Sequence, residues 1–356
     1  MSLLEKRYRH VLRLLPASYR AERQEEMVNT FLEGAGDLTD ADNPRPRWSE
    51  ILSVAALSVR ARLGGAGTGP RSFAWGQAVR LVALLGLAFH AMMSWMVFWR
   101  FLARYGLFGP SAAPQPALPA PESADRLWDI AQGFTALLWV AAFAALTRGC
   151  PRAAKPLALL AVAAASSDLL KLWSLDTRTA VTVMTLNGVL YAVPVLALFA
   201  GFHRDAPAIR RPPRVAVLPV AAGVLLSGLL TLAGTWSQQP PISLATWSWI
   251  WPWLDLPGLA SLALLLAGAA SIGVHLLVPA RRSPVPAVAL AILAVPVMLG
   301  RLVRLELGVA DPVSRVMTAV GIAQIAALLL CALTLAVLGI RTMPPAPSPG
   351  AGPSSC

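Results

Sequence analysis

The start of the chain alternates hydrophobic and polar positions with the period of amphipathic helices, whereas most of the chain beyond residue 78 is continuously hydrophobic. Apolar residues recur within 3–15 at spacings of three and four, which predicts one apolar face on a first helix, formed by Leu4, Tyr8, Val11, Leu12 and Leu15. Pro16 ends this helix, because proline cannot continue the backbone hydrogen-bond ladder. The opening therefore predicts a water-soluble helical segment.

Two further amphipathic helices are predicted before the hydrophobic part begins. The second covers 18–34, where Ser18 is suited to cap the amino terminus and Gly34 to close the helix. The third covers 48–63 and comes after a polar loop. Its predicted inward residues are Ile51, Leu52, Ala55 and Val59. The three helices together predict a small cytosolic domain with a core of its own.

Beyond a glycine-rich linker, the chain contains eight apolar runs of about 20 residues, each long enough to cross a hydrocarbon core of about 30 Å as a helix. These runs are 79–103, 127–147, 156–174, 179–202, 215–235, 257–278, 286–305 and 316–340. The predicted fold class is therefore all-α, an integral membrane helical bundle of about eight transmembrane helices preceded by the three-helix domain.

Basic residues in the connections predict the orientation of the bundle, because arginine and lysine near the ends of a span resist translocation. Ten basic residues fall in connections on the side of the two termini: Arg148, Arg152, Lys155, Arg204, Arg210, Arg211, Arg214, Arg281, Arg282 and Arg341. The opposite connections carry Arg126, Arg178 and Arg315. The expected location is the cell membrane, multi-pass, with both termini in the cytoplasm.

Composition agrees with a membrane protein. Of the 356 residues, 13% are charged and 56% hydrophobic, whereas soluble domains average about a quarter charged. The net charge of +12 suits the anionic lipids of a cytoplasmic leaflet, and nucleic acid is not an expected partner. The first 20 residues are too charged for the apolar region of a signal peptide.

No motif predicts catalysis or a cofactor. Cys150, Cys331 and Cys356 lie far apart, and the four histidines are scattered, so neither a disulfide framework nor a metal site is expected. The sequence contains no phosphate-binding lysine loop and no HExxH or GxSxG pattern. We expect a non-enzymatic protein without a cofactor.

The eight runs also suggest an internal duplication as two groups of four. Asp129 and Asp255 stand at the start of the second run in each group, and the offset between the groups is close to 130 residues. Because each group has an even number of spans, a true duplication would give a 4+4 parallel repeat with both halves in the same orientation. The spacing of hydrophobic runs alone leaves coincidence open.

Charged and polar residues inside the apolar runs or just beyond their ends form the first candidate site. An unpaired charge in the membrane costs at least about 2 to 3 kcal/mol, so these side chains are expected to face protein or water. The candidate residues are Asp168, Lys171, Asn187, Arg301, Arg304 and Glu306. One interpretation is a structural cluster in which Asp168 pairs with Lys171 or Arg301. The other is an outer-leaflet cavity for an anionic or polar ligand.

Four alternating tryptophans mark the second outer loop. They are Trp247, Trp249, Trp251 and Trp253. An extended segment would align their rings as a lid over the charged cluster, because alternate side chains of a strand share one face. The other interpretation is a belt at the membrane interface, where indoles favour the headgroup level.

The segment 4–27 resembles the helical prefix domain found at the cytoplasmic start of many bacterial, especially actinobacterial, membrane proteins. The resemblance rests on a basic amphipathic helix, Pro16, Tyr19-Arg20 and the acidic Glu25-Glu26-Met27. Such prefixes occur in permeases and in signalling proteins similar to the HAAS group, which associate with transcriptional regulators. The resemblance covers about the first 60 residues and implies a docking role, for which the residues are Tyr8, Arg20, Glu25 and Glu26.

These patterns lead to two functional hypotheses. The first is a regulatory or accessory membrane protein whose cytosolic domain docks a partner, such as a cytosolic regulator or transporter subunit, or anchors at the lipid bilayer. The second is a transporter or permease subunit that uses the charged outer-leaflet cavity. The predicted divisions are a prefix domain at 1–66, a linker at 67–78, membrane units at 79–202 and 215–340 joined by a basic loop at 203–214, and a disordered Pro-rich tail at 341–356.

Overall fold

A computed structural model of the chain describes residues 2–35, 45–64, 69–107, 118–173, 177–203, 211–236, 243–278, 282–305 and 311–345. The side chains at 18, 35, 168–173, 177–184, 186, 187, 213, 233–236, 244 and 256 lie outside this description. All regular secondary structure in the described ranges is helical. The all-α prediction is therefore confirmed for the described part of the chain.

The described residues form thirteen helices, of which three precede the long apolar stretches. The first three are α1 (Leu3–Leu12), α2 (Ala17–Ala35) and α3 (Trp48–Arg62). The others are α4 (Pro70–Arg104), α5 (Ala124–Thr135), α6 (Leu137–Thr147), α7 (Pro151–Trp173), α8 (Thr177–Gly201), α9 (Pro213–Trp236), α10 (Leu244–Leu254), α11 (Leu256–Leu277), α12 (Pro284–Val303) and α13 (Pro312–Thr342).

Six helical stretches in the described residues are long and apolar enough to cross a membrane. They are Pro70–Arg104, Ala124–Thr147, Arg214–Leu232, Pro257–Leu277, Pro284–Val303 and Pro312–Thr342. The other two predicted runs, 156–174 and 179–202, fall on α7 and α8, where many side chains lie outside the described residues. A multi-pass helical membrane protein is thus established at the level of six candidate spans, and eight stays a prediction.

The chain divides into two compact units. The first comprises Met1–Val79 with His203–Ala206 and Met343–Cys356, and the second comprises Arg80–Phe202 with Pro207–Thr342. Except for Val79, the two predicted membrane units, 79–202 and 215–340, thus fall within one compact unit, and inside it α12 packs on α8. The predicted linker 67–78 is also shorter than expected, because α4 is already helical from Pro70.

The first unit has its own hydrophobic core where α1, α2 and α3 meet. The buried side chains at its centre are Tyr8, Leu12, Leu15, Val28 and Val54. Ser2 caps α1 by accepting a hydrogen bond from the Glu5 N–H at 3.2 Å. Ser58 ties α3 to the end of α1 by donating to the Leu14 carbonyl at 2.6 Å. The periodicity of the opening residues thus correctly located the face of α1 that is buried.

The predicted face of α3 is partly wrong. Leu52 and Val59 are exposed, whereas Val54 and Ser58 point into the core. Small and β-branched residues occupy most positions of this helix, so its apolar residues surround much of the axis and do not define one stripe. Packing against α1 and α2 selected the face with the smaller side chains.

The second unit is built around α12. This helix contributes to two hydrophobic clusters, one with Leu190, Ala260 and Leu328, and the other with Leu335. α12 and α13 pack along most of their lengths as neighbours joined by a short connection. The carboxyl-terminal end of α12 therefore lies among several helices, which determines the surroundings of Arg301.

Helix α9 packs against α6 and also approaches α4 closely at Gly223. A Cβ at Gly223 would come within 2.8 Å of the Met92 carbonyl oxygen and 3.1 Å of the Trp95 Cβ on α4. A Cβ at Gly228, in the same helix, would meet nothing within 4 Å. Small residues of this kind allow helix backbones to approach closely in membranes.

Gly223→Ala is therefore expected to lower the free energy of unfolding by about 1 to 3 kcal/mol, because the Met92 backbone must move. Gly228→Ala is the matched control and is expected to raise it by up to about 1 kcal/mol, since alanine favours a helix interior. Reversible unfolding in mixed micelles measures both. Equal effects of the two substitutions would contradict the close contact.

Candidate functional site

Arg301, in the last turn of α12, is the best-connected charged side chain in the described part of the second unit. Its side chain is 5% exposed. Nη1 donates to Asp255 Oδ2 at 2.8 Å, Nε donates to Gln324 Oε1 at 2.5 Å, and Nη2 donates to the Pro252 carbonyl. We call Pro252, Asp255, Arg301, Arg304 and Gln324 the Arg301 cluster.

The break between α10 and α11 provides two of the acceptors for this arginine. Helix α10 ends at Leu254, and the extended Asp255 caps α11 by accepting from the Gly258 N–H at 2.8 Å. The Pro252 carbonyl, in the last turn of α10, also accepts from Gln324 Nε2 at 3.0 Å. A helix carboxyl terminus is the negative end of the helix dipole, so it favours the arginine cation.

Glycine at position 258 is required for this arrangement. A Cβ there would clash with both the Pro252 carbonyl and the Asp255 carboxylate. Only a residue without a side chain lets the first turn of α11 approach the end of α10 so closely.

Every nitrogen of the Arg301 guanidinium thus has an acceptor, and the cluster joins α10, α11, α12 and α13. Removing one partner from such a buried, hydrogen-bonded pair would leave an uncompensated charge between these helices, which is strongly destabilising. Arg304 differs, because its side chain is 42% exposed and its Nη1 lies 3.6 Å from Asp255 Oδ2. The geometry favours a structural clamp, with Arg304 as the member that faces outward.

The structure therefore brings together two members of the predicted charged cluster, and their acidic partner differs from the one that the sequence suggested. Arg301 and Arg304 converge on Asp255. The side chains of the predicted members Asp168, Lys171 and Asn187, and the whole of Glu306, lie outside the description. Asp255 and Gln324 were missed as members, although Gln324 is an isolated amide within the apolar run 316–340, which is a signal for a buried polar contact.

Asp129, the predicted counterpart of Asp255, has different partners. Its Oδ1 accepts from Arg104 Nη1 at 2.9 Å and its Oδ2 from the Tyr105 hydroxyl at 3.0 Å. Asp129 lies inside α5, whereas Asp255 precedes α11, and Arg104 ends α4. The pairing thus differs between the halves, and the duplication stays a prediction.

Arg104 also lies in a connection predicted to be on the outer side. It raises the number of basic residues in the outer connections from three to four, still fewer than the ten in the connections on the side of the termini.

The four tryptophans lie on a helix, so the expectation of an extended lid is wrong. In α10, Trp247 and Trp251 are one turn apart, with ring centroids separated by 5.8 Å. Trp249 and Trp253 have the same spacing on another side of the helix, and Trp249 and Trp251 are exposed. The alternative of an interfacial belt stays a prediction.

A buried aromatic cluster that the sequence did not indicate surrounds His90 in α4. The His90 ring stacks on Trp139 at 4.7 Å and lies 5.0 Å from Tyr191. Its Nε2 is 3.2 Å from the Leu190 carbonyl oxygen. These contacts connect α4, α6 and α8, and no group of three or more His, Cys, Asp or Glu suited to a metal ion occurs among the described residues.

In the first unit, the predicted docking residues separate into a buried and an exposed group. Tyr8 must be corrected, because it is buried and stacks on Phe31 with ring centroids 3.9 Å apart. Glu25 and Glu26 are exposed on α2, and Arg20 is half-buried. Tyr8 therefore belongs to the core, and the exposed charges of α2 form the remaining docking candidates.

Glu25 also joins α1 to α2. Arg9 donates to both of its carboxylate oxygens, at 2.6 and 2.7 Å, and to Glu5 at 3.0 Å. The hydrogen bonds from Arg9 lower the pKa of Glu25 below the ordinary value of 4.5. A lowered folded-state pKa adds stability that is present above the unfolded pKa and is lost as the pH falls through the folded one.

We therefore expect the denaturation midpoint of the first unit to decrease as the pH is lowered below about 4.5. Glu25→Gln should remove the part of this pH dependence that comes from Glu25, because the amide does not titrate. Glu26→Gln, one residue along on the same exposed helix, is the control and should preserve it. Circular dichroism of the full chain in micelles, measured across this pH range, gives the difference. Identical pH profiles for wild type and Glu25→Gln would contradict the ion pair.

Comparison with known proteins gives no further guide, because no protein-family model, curated protein or solved structure matches the chain.

Proposed function

We propose that this chain is a non-enzymatic regulatory or accessory protein of the cell membrane, in which an eight-span body anchors a cytosolic helical domain that docks a partner protein. The observation that carries the proposal is the first unit itself. It contains a compact apolar core, while α2 presents exposed acidic residues to water. A folded, water-facing unit attached to an apolar chain is suited to contacts with another protein.

The topology supports the same assignment. In this proposal α7 and α8 cross the membrane in addition to the six candidate spans, and an even number of crossings would put both termini on one side. The excess of basic residues in the connections of that side favours the cytoplasm. The partner is a cytosolic regulator or a transporter subunit in this proposal.

The alternative of a transporter receives less support from the Arg301 cluster. A substrate site needs a charged group that is accessible and incompletely paired, whereas each guanidinium nitrogen of Arg301 already has an acceptor. These acceptors belong to α10, to α13 and to the cap of α11, so opening the cluster for a ligand would separate the helices. A structural role fits this arrangement better than a binding cavity.

The docking proposal can be tested by placing a photo-crosslinking amino acid at Glu26 of the full chain in its native membrane. We expect a discrete adduct with one protein, which weakens at least severalfold when the neighbouring exposed Glu22→Lys substitution changes the charge of α2. The same crosslinker at Ser53, on another side of the first unit, is the control. No adduct at Glu26, or the same adduct from Ser53, would contradict docking through α2.

A further inference from the structure

Helix α3 has a second apolar face that nothing in the described part of the first unit covers. Trp48 is 78% exposed, Leu52 66% and Val59 42%. At about 100° per residue these three side chains fall within about 40° of one another, away from the buried Val54. We call Trp48, Leu52 and Val59 the α3 stripe. A contiguous exposed apolar surface of this kind marks a site for a protein or a membrane.

The end of α3 lies beside the start of the first candidate span. A Cβ at Gly76, in the second turn of α4, would clash with the carbonyl of Leu63, the residue after α3. Gly64, with φ +82°, lies against Phe73. The predicted entry of α4 into hydrocarbon is near residue 79, about 5 to 9 Å further along the helix. The headgroup layer has a similar thickness, so α3 ends at the level of the headgroups.

Charge distinguishes the exposed surface of α3 from that of α2. Around α3 the described charged residues are Arg45, Arg47, Glu50, Arg60, Arg62 and Arg71. The single acid among them, Glu50, is engaged at the start of the helix, where it accepts from the Arg47 N–H at 2.8 Å. In α2, by contrast, acids outnumber bases: Glu22, Glu25, Glu26 and Glu33 against Arg20 and Arg23. An anionic surface would attract α3 and repel α2.

We infer that the α3 stripe lies in the headgroup layer of an anionic lipid leaflet, with the flanking arginines on the lipid phosphates. Tryptophan is suited to this depth, and an amphipathic helix binds there through its apolar area and its basic residues together. The consequence is a fixed orientation, in which the acidic helix α2 faces the cytosol. This inference rests on the crossing of the membrane by α4 and not on the docking of a partner.

A spin label at two adjacent positions tests the inference in the full chain. Cys150, Cys331 and Cys356 are first replaced by alanine, and Leu52→Cys or Ser53→Cys is then labelled. Ser53 is exposed about 100° from Leu52 on the same helix and is the matched control. The protein is reconstituted in bilayers that contain phosphatidylglycerol. Relaxation by oxygen reports lipid, and relaxation by a nickel chelate reports water.

We expect a label at Leu52 to be accessible to oxygen and protected from nickel, with an oxygen-to-nickel ratio severalfold higher than at Ser53. Removing charge with Arg47→Gln and Arg60→Gln should reduce this ratio in phosphatidylglycerol but not in phosphatidylcholine. Nickel accessibility at Leu52 equal to that at Ser53 would overturn the inference. Protection of Leu52 from both reagents would also overturn it, because the stripe would then be covered by protein, such as a second copy of the chain.

These outcomes are independent of the docking proposal. A lipid-embedded Leu52 with no photo-crosslinked adduct at Glu26 would support the α3 assignment while contradicting the partner. A water-exposed Leu52 with a discrete adduct at Glu26 would do the opposite.

Discussion

Arg301→Gln is expected to lower the free energy of unfolding of the membrane unit by about 3 to 5 kcal/mol, because it leaves the Asp255 carboxylate, which is only 11% exposed, without its principal partner. The substitution also removes donors from the Pro252 carbonyl and from Gln324. The loss should appear as a large decrease in the denaturant midpoint of the full chain in mixed micelles.

Arg304→Gln is the matched control, since the Arg304 side chain is exposed and pairs with the same Asp255 carboxylate at a longer distance than Arg301 does. It should cost about 1 kcal/mol or less, as exposed ion pairs do. Asp255→Asn preserves the helix cap, because asparagine caps as well as aspartate, but removes the charge. Arg301→Gln should therefore cost much less in an Asp255→Asn background. Equal effects of Arg301→Gln and Arg304→Gln would contradict the clamp.

Leu12→Ala is expected to destabilise the first unit by about 2 to 5 kcal/mol, because Leu12 is fully buried where the three helices meet. For a small unit this is a large fraction of the total stability. The measurement is the rate of proteolysis within residues 1–62 of the full chain, which should rise by at least tenfold.

Leu14→Ala provides the comparison two residues away, since Leu14 is 45% exposed. Its effect should stay within about 0.5 kcal/mol, as for other surface substitutions. The membrane unit should keep its own resistance to protease in both variants. Equal protection of Leu12→Ala and Leu14→Ala would contradict an independent core in the first unit.

Much of the fold could be predicted from the lengths of the apolar runs and from the spacing on α1. A run of about 20 apolar residues has few alternatives to a membrane helix, and Leu4, Tyr8 and Leu12 define a single face. The buried face of α3 could not be assigned in this way, because apolar residues surround most of its axis. Its packing against the other helices of the first unit determines which face is buried. Helix α10 was also missed, since alternating tryptophans fit a strand and a helix equally well in a short segment.

For the candidate site, the sequence indicated which types of residue would need buried partners but not which residues those partners are. Charges within apolar runs indicated that Arg301 needs a partner, and the structure provides Asp255 and Gln324, which lie 46 and 23 residues away in the sequence. Such pairing depends on which helices are neighbours, and a single sequence does not contain that information. Tyr8 illustrates the opposite error, because the resemblance to the prefix domain implied a docking role for a residue that stacks on Phe31 in the core.

We propose that eight helices cross the membrane with both termini in the cytoplasm, and α7 and α8 are the two proposed crossings that need a direct test. A cysteine in place of Leu175, in the connection between them, can be labelled with a membrane-impermeant maleimide. The native Cys150 is exposed in a connection predicted to be cytoplasmic and is the internal control. In intact cells, the label should react at position 175 and not at Cys150. Labelling of position 175 only after the membrane is permeabilised would contradict the account.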